Sequence, residues 1–231
     1  MRIGRFDGVA PLRGKPDFYV WRAAGSSTDC CLIKVLPGPS VSTGAGAIDH
    51  ELLLLRKLQS SQELQLPNLI DFGYDVDLHA HCYALHLPSP PILLSPELLR
   101  GVRHAAVMAS IARALQILHE EGIAYRAFGF ESYVCLGDQV MLYDIARAER
   151  MAIDRTVAPS PKRAPFDPPE ATVGRYDGVR GDIYGLGWLM RAMITDEREK
   201  MILKAMTSDD PETRPNSMAE VFDILRQGGV G

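Results

Sequence analysis

At 231 residues, with 46% hydrophobic and 23% charged side chains, the chain holds enough apolar material for a sizeable core, which excludes a disordered or disulfide-stapled polypeptide. Lysine and arginine number 25 against 29 aspartates and glutamates, and the net charge of −4 argues against a broad basic face for nucleic acid or an anionic membrane. The four cysteines include the neighbours Cys30 and Cys31 and form no CxxC pair, so neither a disulfide framework nor a zinc site is expected. No apolar run reaches membrane-spanning length, and Met1-Arg2-Ile3-Gly4-Arg5-Phe6-Asp7 does not read as a signal peptide; a cytoplasmic setting is the expectation.

Aromatic and β-branched residues predict strands over 17–23 (DFYVWRA) and 29–36 (DCCLIKVL) about a Gly-Ser-Ser turn, with a loop dense in Gly, Ser and Pro over 37–47. Ile48, Leu52, Leu55 and Leu58 recur at helical spacing and predict a helix over 48–58. Two more strands are expected over 69–74 and 81–87, and Pro88-Ser89-Pro90-Pro91 then breaks regular structure. Helical character follows. Met108, Ile111, Leu115 and Leu118 mark one face of a helix ending near His119, with Gly122 suited to its C-terminal cap. A hairpin is expected from 133–136 and 140–143 about Gly137-Asp138, and a proline-rich loop over 147–169. Asp182 is expected to cap an apolar helix running to about Ile194. Helices near 197–206 and 218–226 close the chain, the second opening on the capping box Ser217-Met218-Ala219-Glu220. The fold class read from this order is α+β. A β-rich part with one helix (1–87) leads through a linker (88–96) to a larger helical part (97–231).

The order of these signals resembles the protein kinase superfamily. Cys31-Leu32-Ile33-Lys34 is similar to the family's Val-Ala-Ile-Lys strand, and Glu51 falls where a helix glutamate pairs with that lysine. Leu66-Pro67-Asn68-Leu69-Ile70 resembles His-Pro-Asn-Ile-Val. Leu118-His119-Glu120-Glu121-Gly122-Ile123 resembles the approach to the catalytic loop, Pro168-Pro169-Glu170 resembles Ala-Pro-Glu, and Asp182-Ile183-Tyr184-Gly185-Leu186-Gly187 resembles the central lobe helix. Asp210-Pro211-Glu212-Thr213-Arg214-Pro215 looks like the motif whose arginine pairs with the Ala-Pro-Glu glutamate. Each piece alone is weak, and the specificity lies in their order. The resemblance implies a two-lobed protein kinase-like fold, compact and of bacterial type, with a small β-rich N-lobe and a reduced helical C-lobe. The short stretch from Asp182 to Arg214 leaves little room for the family's substrate-docking helices.

The family's reacting groups are where the match fails. His-Arg-Asp-Leu-Lys-Pro-x-Asn becomes Tyr125-Arg126-Ala127-Phe128-Gly129-Phe130-Glu131-Ser132. The general base is replaced by Ala127, the loop lysine by Gly129, and the metal-binding asparagine by Ser132. Base catalysis alone is worth about 10²- to 10⁴-fold, roughly 3–5 kcal/mol of barrier. The resemblance therefore implies a pseudokinase acting as a protein-binding or allosteric scaffold, and the alternative is an atypical active serine/threonine kinase assisted by Glu131 or Asp138.

Nucleotide binding stays open at this level. Lys34, Glu51 and Asp144 of Tyr143-Asp144-Ile145-Ala146 match nucleotide and metal positions, and the Leu87 carbonyl and Ser89 amide could meet an adenine. ATP or ADP, with or without magnesium on Asp144, is the implied ligand. Gly4 and Gly8 lie near the place of a glycine-rich hairpin but do not reproduce a phosphate-covering turn. Structural roles are implied for Arg126, Glu170, Asp182 and Arg214. His79 and His81 share a strand face without an acidic or thiol partner. Thr156 and Ser160 are phosphorylatable in principle, and Arg100, Arg103, His104 and Lys162-Arg163 read as solvated charge. A protein partner is expected. Nucleic acid and membrane segments are not, and the oligomeric state is open.

Overall fold

The computed structural model describes residues 2–12, 15–22, 30–36, 46–59, 65–99, 104–136, 139–159, 164–191 and 197–228. The chain divides into two compact units, Met1–Ile92 and Leu93–Gly231. Its structure is mixed α+β with an antiparallel sheet.

In the first unit, strands β1 (Ala10–Leu12), β2 (Lys15–Arg22), β3 (Cys30–Leu36), β4 (Leu69–Asp75) and β5 (Ala80–Leu87) form one sheet in the order β1-β2-β3-β5-β4. Every neighbouring pair is antiparallel, and Lys34 stands opposite Phe18 on β2 and Tyr83 on β5. β3 is central, so nearly its whole length is buried. Its side chains alternate between the two faces. Cys31 and Ile33 pack with Ala84 against Ile3, Phe6 and Val9 of the N-terminal segment. Lys34 points to the opposite face, toward helix α1 (Gly46–Leu58), where Glu51, Leu54, Leu55 and Leu58 recur at the helical period and are buried. Arg56 and Lys57 in the last turn of α1 complement its dipole.

The N-terminal segment explains the two glycines that sequence placed near a phosphate-covering hairpin. Ile3 and Phe6 exchange backbone hydrogen bonds of 3.0 and 2.9 Å across a tight turn, with Gly4 at φ 53°. Gly4 N–H donates to Asp75 Oδ2 at 2.6 Å, tying the turn to the end of β4. Gly4 and Gly8 (φ 74°) therefore shape a plug on the sheet face, ahead of the β1–β2 pair; residues 13–14 between these strands lie outside the described residues. The expected turn at 25–27 and the loop over 37–45 also lie outside them.

The second unit begins beside β6 (Ile92–Leu93) and the short α2 (Pro96–Leu99). Helix α3 (His104–Glu120) follows, buried along Val107, Met108, Ile111, Leu115 and Leu118. Gly122 at φ 70° closes it by donating to the His119 carbonyl at 2.9 Å, a left-handed cap that glycine adopts without strain. Strands β7 (Ile123–Ala124) and β10 (Glu149–Arg150) pair, as do β11 (Thr156–Val157) and β12 (Tyr176–Asp177). These short ladders put structure into a stretch expected to be loop. The hairpin β8 (Tyr133–Leu136) and β9 (Gln139–Leu142) is tied to α3 by Val140 N–H donating to Ser110 Oγ at 3.0 Å. Its turn at 137–138, with Asp138, lies outside the described residues.

Helix α4 (Gly178–Met190) starts earlier than expected. Asp177, not Asp182, is its N-cap, accepting from the Val179 and Arg180 amides. Gly181 and Gly185 leave space on α4 for the rings of Tyr176 and Phe128, which any side chain there would strike. Helices α5 (Glu197–Met206) and α6 (Met218–Gly228) follow. The capping box forms with a shift: Ser217 Oγ accepts from Glu220 N–H at 3.2 Å, while the Glu220 carboxylate reaches back to Asn216 N–H at 3.0 Å.

Candidate functional site

In the first unit the Lys34 ammonium lies 3.0 and 2.9 Å from the two Glu51 oxygens, and the Tyr83 hydroxyl donates to Glu51 Oε2 at 2.8 Å. The β3 register and the second turn of α1 bring the pair together, as the resemblance implies. What the sequence did not signal is the enclosure. Phe18 lies across β2 with its ring 5.2 Å from Lys34 Nζ, the Tyr83 ring is 6.0 Å away, and Lys34 is only 5% exposed. Leu87 is buried at the end of β5, and its carbonyl accepts from the Cys30 thiol at 3.4 Å. Ser89 stands half-buried on the bend that follows.

In the second unit the loop over 125–132 is held from below. Asp182, buried within α4, accepts from Tyr125 N–H at 2.6 Å and Arg126 N–H at 2.9 Å, and its Oδ2 lies 2.8 Å from His119 Nε2. Arg126 takes a left-handed φ of 62°, which costs a non-glycine residue about 1–2 kcal/mol and persists because both adjoining amides are anchored. Phe128 fills the gap over Gly185 and meets Phe166 edge-on. Along this fixed backbone, Ala127 is buried and presents a methyl group, Ser132 is buried, and the Glu131 carboxylate folds over Gly129, so that a side chain there would displace it. Tyr125, Tyr133 and Tyr143 crowd the same loop, and burial drives their phenols far above the usual range, so they stay neutral.

Asp144 is half-buried after β9, with Oδ1 accepting from Ala146 N–H at 3.3 Å. Among the described residues no group of three or more His, Cys, Asp or Glu side chains could hold a metal ion, His79 and His81 included. Asp144 would supply one carboxylate, the kind of protein ligand that a magnesium ion takes beside waters and phosphate oxygens, and the buried Ser132 hydroxyl is a weaker one. Beyond Asp144 the chain is pinned three times. Arg126 Nη1 pairs with Glu149 Oε2, while Glu149 Oε1 accepts from Ala158 N–H at 3.0 Å. Arg147 Nη2 grips both Asp167 oxygens at 2.9 Å and stacks on Phe166. Arg214 meets Glu170 bidentately at 2.6 and 2.9 Å, with Tyr184 beneath the guanidinium.

The implied pairs Lys34–Glu51 and Glu170–Arg214 are thus assembled, as is Asp182 beneath the loop. Glu149 and Asp167 were missed because an acid amid short or irregular segments carries no spacing signal, and Tyr83 because its reach to Glu51 depends on the β3–β5 register. Thr156 is in place, its Oγ1 donating to Asp154 Oδ1 at 2.7 Å and accepting from Arg175 Nε at 3.1 Å. Ser160, Lys162-Arg163, Arg100 and Arg103 lie outside the described residues. No helix among the described residues is long and apolar enough to cross a membrane. No family model matches the chain, and no curated protein matches it.

Proposed function

We propose that this chain is a pseudokinase: a two-lobed, kinase-like domain that keeps the anchored loop of a phosphotransferase without its reacting groups, and serves as a cytoplasmic protein-binding or allosteric scaffold. The observation that carries this reading is the loop over 125–132. Asp182 holds its backbone through two buried amides, yet Ala127, Gly129 and Ser132 stand where a base, a lysine and a metal ligand are needed. Phosphoryl transfer depends on positioned groups and charge neutralisation more than on covalent chemistry, so losing three of them together leaves little catalysis. The Lys34–Glu51 pair ties β3 to α1 and is common to a scaffold and to an active kinase, so the loop and not this pair separates the two readings.

The alternative, an atypical active serine/threonine kinase, draws on Asp144 and on the Glu131 carboxylate lying over the loop at Gly129. Thermal denaturation with ATP or ADP and magnesium or manganese tests the scaffold reading. A ligand at 100 times its dissociation constant adds about 2.7 kcal/mol of stability. A scaffold independent of nucleotide melts unchanged at millimolar nucleotide. A metal-dependent rise that disappears in Asp144→Ala favours the alternative.

A further inference from the structure

We propose that the open edge of the first unit's sheet takes an extended segment of a partner protein as a sixth strand. The segment carries an acid, a small aliphatic residue and an apolar residue in succession. The two edges of this sheet differ. β1 is three residues long and carries Pro11, which blunts an edge, whereas β4 is seven residues long with neither proline nor lysine. Among the described residues β4 pairs with β5 alone, so half of its amides and carbonyls face away from the sheet. Of the eleven large apolar side chains exposed among the described residues, five fall within 70–78: Ile70, Phe72, Tyr74, Val76 and Leu78. Clustered exposure of this kind marks an interaction site, and an open strand offers the main-chain bonds for one.

The two faces of β4 define the side chains that fit. Phe72 faces α1, with the Arg56 guanidinium 4.7 Å over its ring, and Tyr74 meets His81 edge-on. Asp71 and Gly73 alternate to the other face, beside Ala84 and Cys82. There a cavity of about 70 Å³ opens, lined by Ile3, Phe6, Ile33, Gly73, Cys82 and Ala84. It is far below the roughly 300–1,000 Å³ of a small-molecule site and suits one small aliphatic side chain. Gly73 lines it with no positive φ and with nothing within 4 Å of the place a Cβ would take. Neither strain nor packing within the chain calls for glycine there, and a bare position inside a strand suits the close approach of another backbone. Charge sets the remaining residue. Asp71 is engaged by Arg5 at 2.9 Å and the Phe72 amide at 3.0 Å, and Asp75 by the Gly4 amide at 2.6 Å. No carboxylate among the described residues pairs with Arg56, and an acid opposite Phe72 meets it. A second copy paired antiparallel about Phe72 would instead set two Arg56 guanidiniums on one face, so charge favours an acidic partner strand over a homodimer.

This site goes beyond the scaffold reading, which stands on the loop over 125–132 whatever the edge binds. Panning a random-peptide display library on the immobilised full chain, without nucleotide, tests it. We expect enriched sequences to share an acid, then valine, alanine or isoleucine, then an apolar residue, in either chain direction. The consensus peptide should bind one-to-one by fluorescence anisotropy, about two- to fivefold more weakly when the acid becomes its amide. Arg56→Glu should select lysine or arginine in the acid's place. Gly73→Val, for which there is room, should melt as the wild type and weaken the peptide about tenfold or more by filling the cavity. No enriched sequence, a selection without the acid or unchanged by Arg56→Glu, full affinity in Gly73→Val, or a dimer in sedimentation that Gly73→Val dissolves overturns the proposal.

Discussion

Asp182→Asn is the sharpest probe of how the second unit holds its loop. The carboxylate accepts from two buried backbone amides, Tyr125 at 2.6 Å and Arg126 at 2.9 Å, and from His119 at 2.8 Å. An asparagine keeps one oxygen and turns an amino group on the other donors. At least one charge-assisted bond is lost, at about 1.5–3 kcal/mol, and a buried N–H is left unsatisfied, at about 1–3 kcal/mol more. The left-handed Arg126 then loses an anchor. The sum is about 2.5–6 kcal/mol, a large part of the roughly 5–15 kcal/mol by which a domain is stable. Urea denaturation should show that loss, and hydrogen exchange should show the Tyr125 and Arg126 amides opening well before those of α3. A loss under about 1 kcal/mol, or unchanged protection at those two amides, would refute the reasoning.

Three further outcomes follow from the same geometry. Lys34→Met strands the buried Glu51 charge and should cost about 3–5 kcal/mol by denaturant midpoint, while Lys34→Met/Glu51→Leu recovers most of it; a double variant as unstable as the single one contradicts the structural tie. Asp75 is held below its ordinary value of 3.8, chiefly by the Gly4 amide and then Leu78. Its contribution is complete above that value and is lost as pH falls through the lower folded value, releasing Phe6 from Trp21; Trp21 fluorescence in a Trp188→Phe background should report this, and Asp75→Asn should remove the acid step. Glu149→Gln weakens the grip on Arg126 but leaves an acceptor for Ala158, so exchange should quicken along 149–158 at a cost of about 1–3 kcal/mol, with α3 protection unchanged.

Periodicity and composition disclosed the parts of the fold that bury a continuous face. β2, β3, β5, α1 and α3 were legible because alternation or a 3.6-residue repeat places their apolar residues, and Gly122 and Ser217 because caps need those residue types. The ladders β7–β10 and β11–β12 were not legible. Two-residue strands carry no period, and their pairing is fixed by packing of Ala124, Val157, Ala171 and Tyr176. The expectation that Asp182 caps α4 failed for a physical reason: four more residues fit ahead of it because Gly178 and Gly181 let the helix begin against Ala124, Val157 and Tyr176. The paired charges of the site were readable from motif spacing, whereas the rings around Lys34 and the acid at Glu149 depend on cross-strand and loop neighbours that spacing does not reveal.

The central claim is that an anchored loop without its base and metal ligand does not transfer phosphate. Incubating the full chain with γ-labelled ATP, magnesium or manganese, and a generic protein substrate tests this most directly. The account predicts no label on either protein above the level given by Lys34→Met. Label on the wild type that vanishes in both Lys34→Met and Asp144→Ala would contradict it.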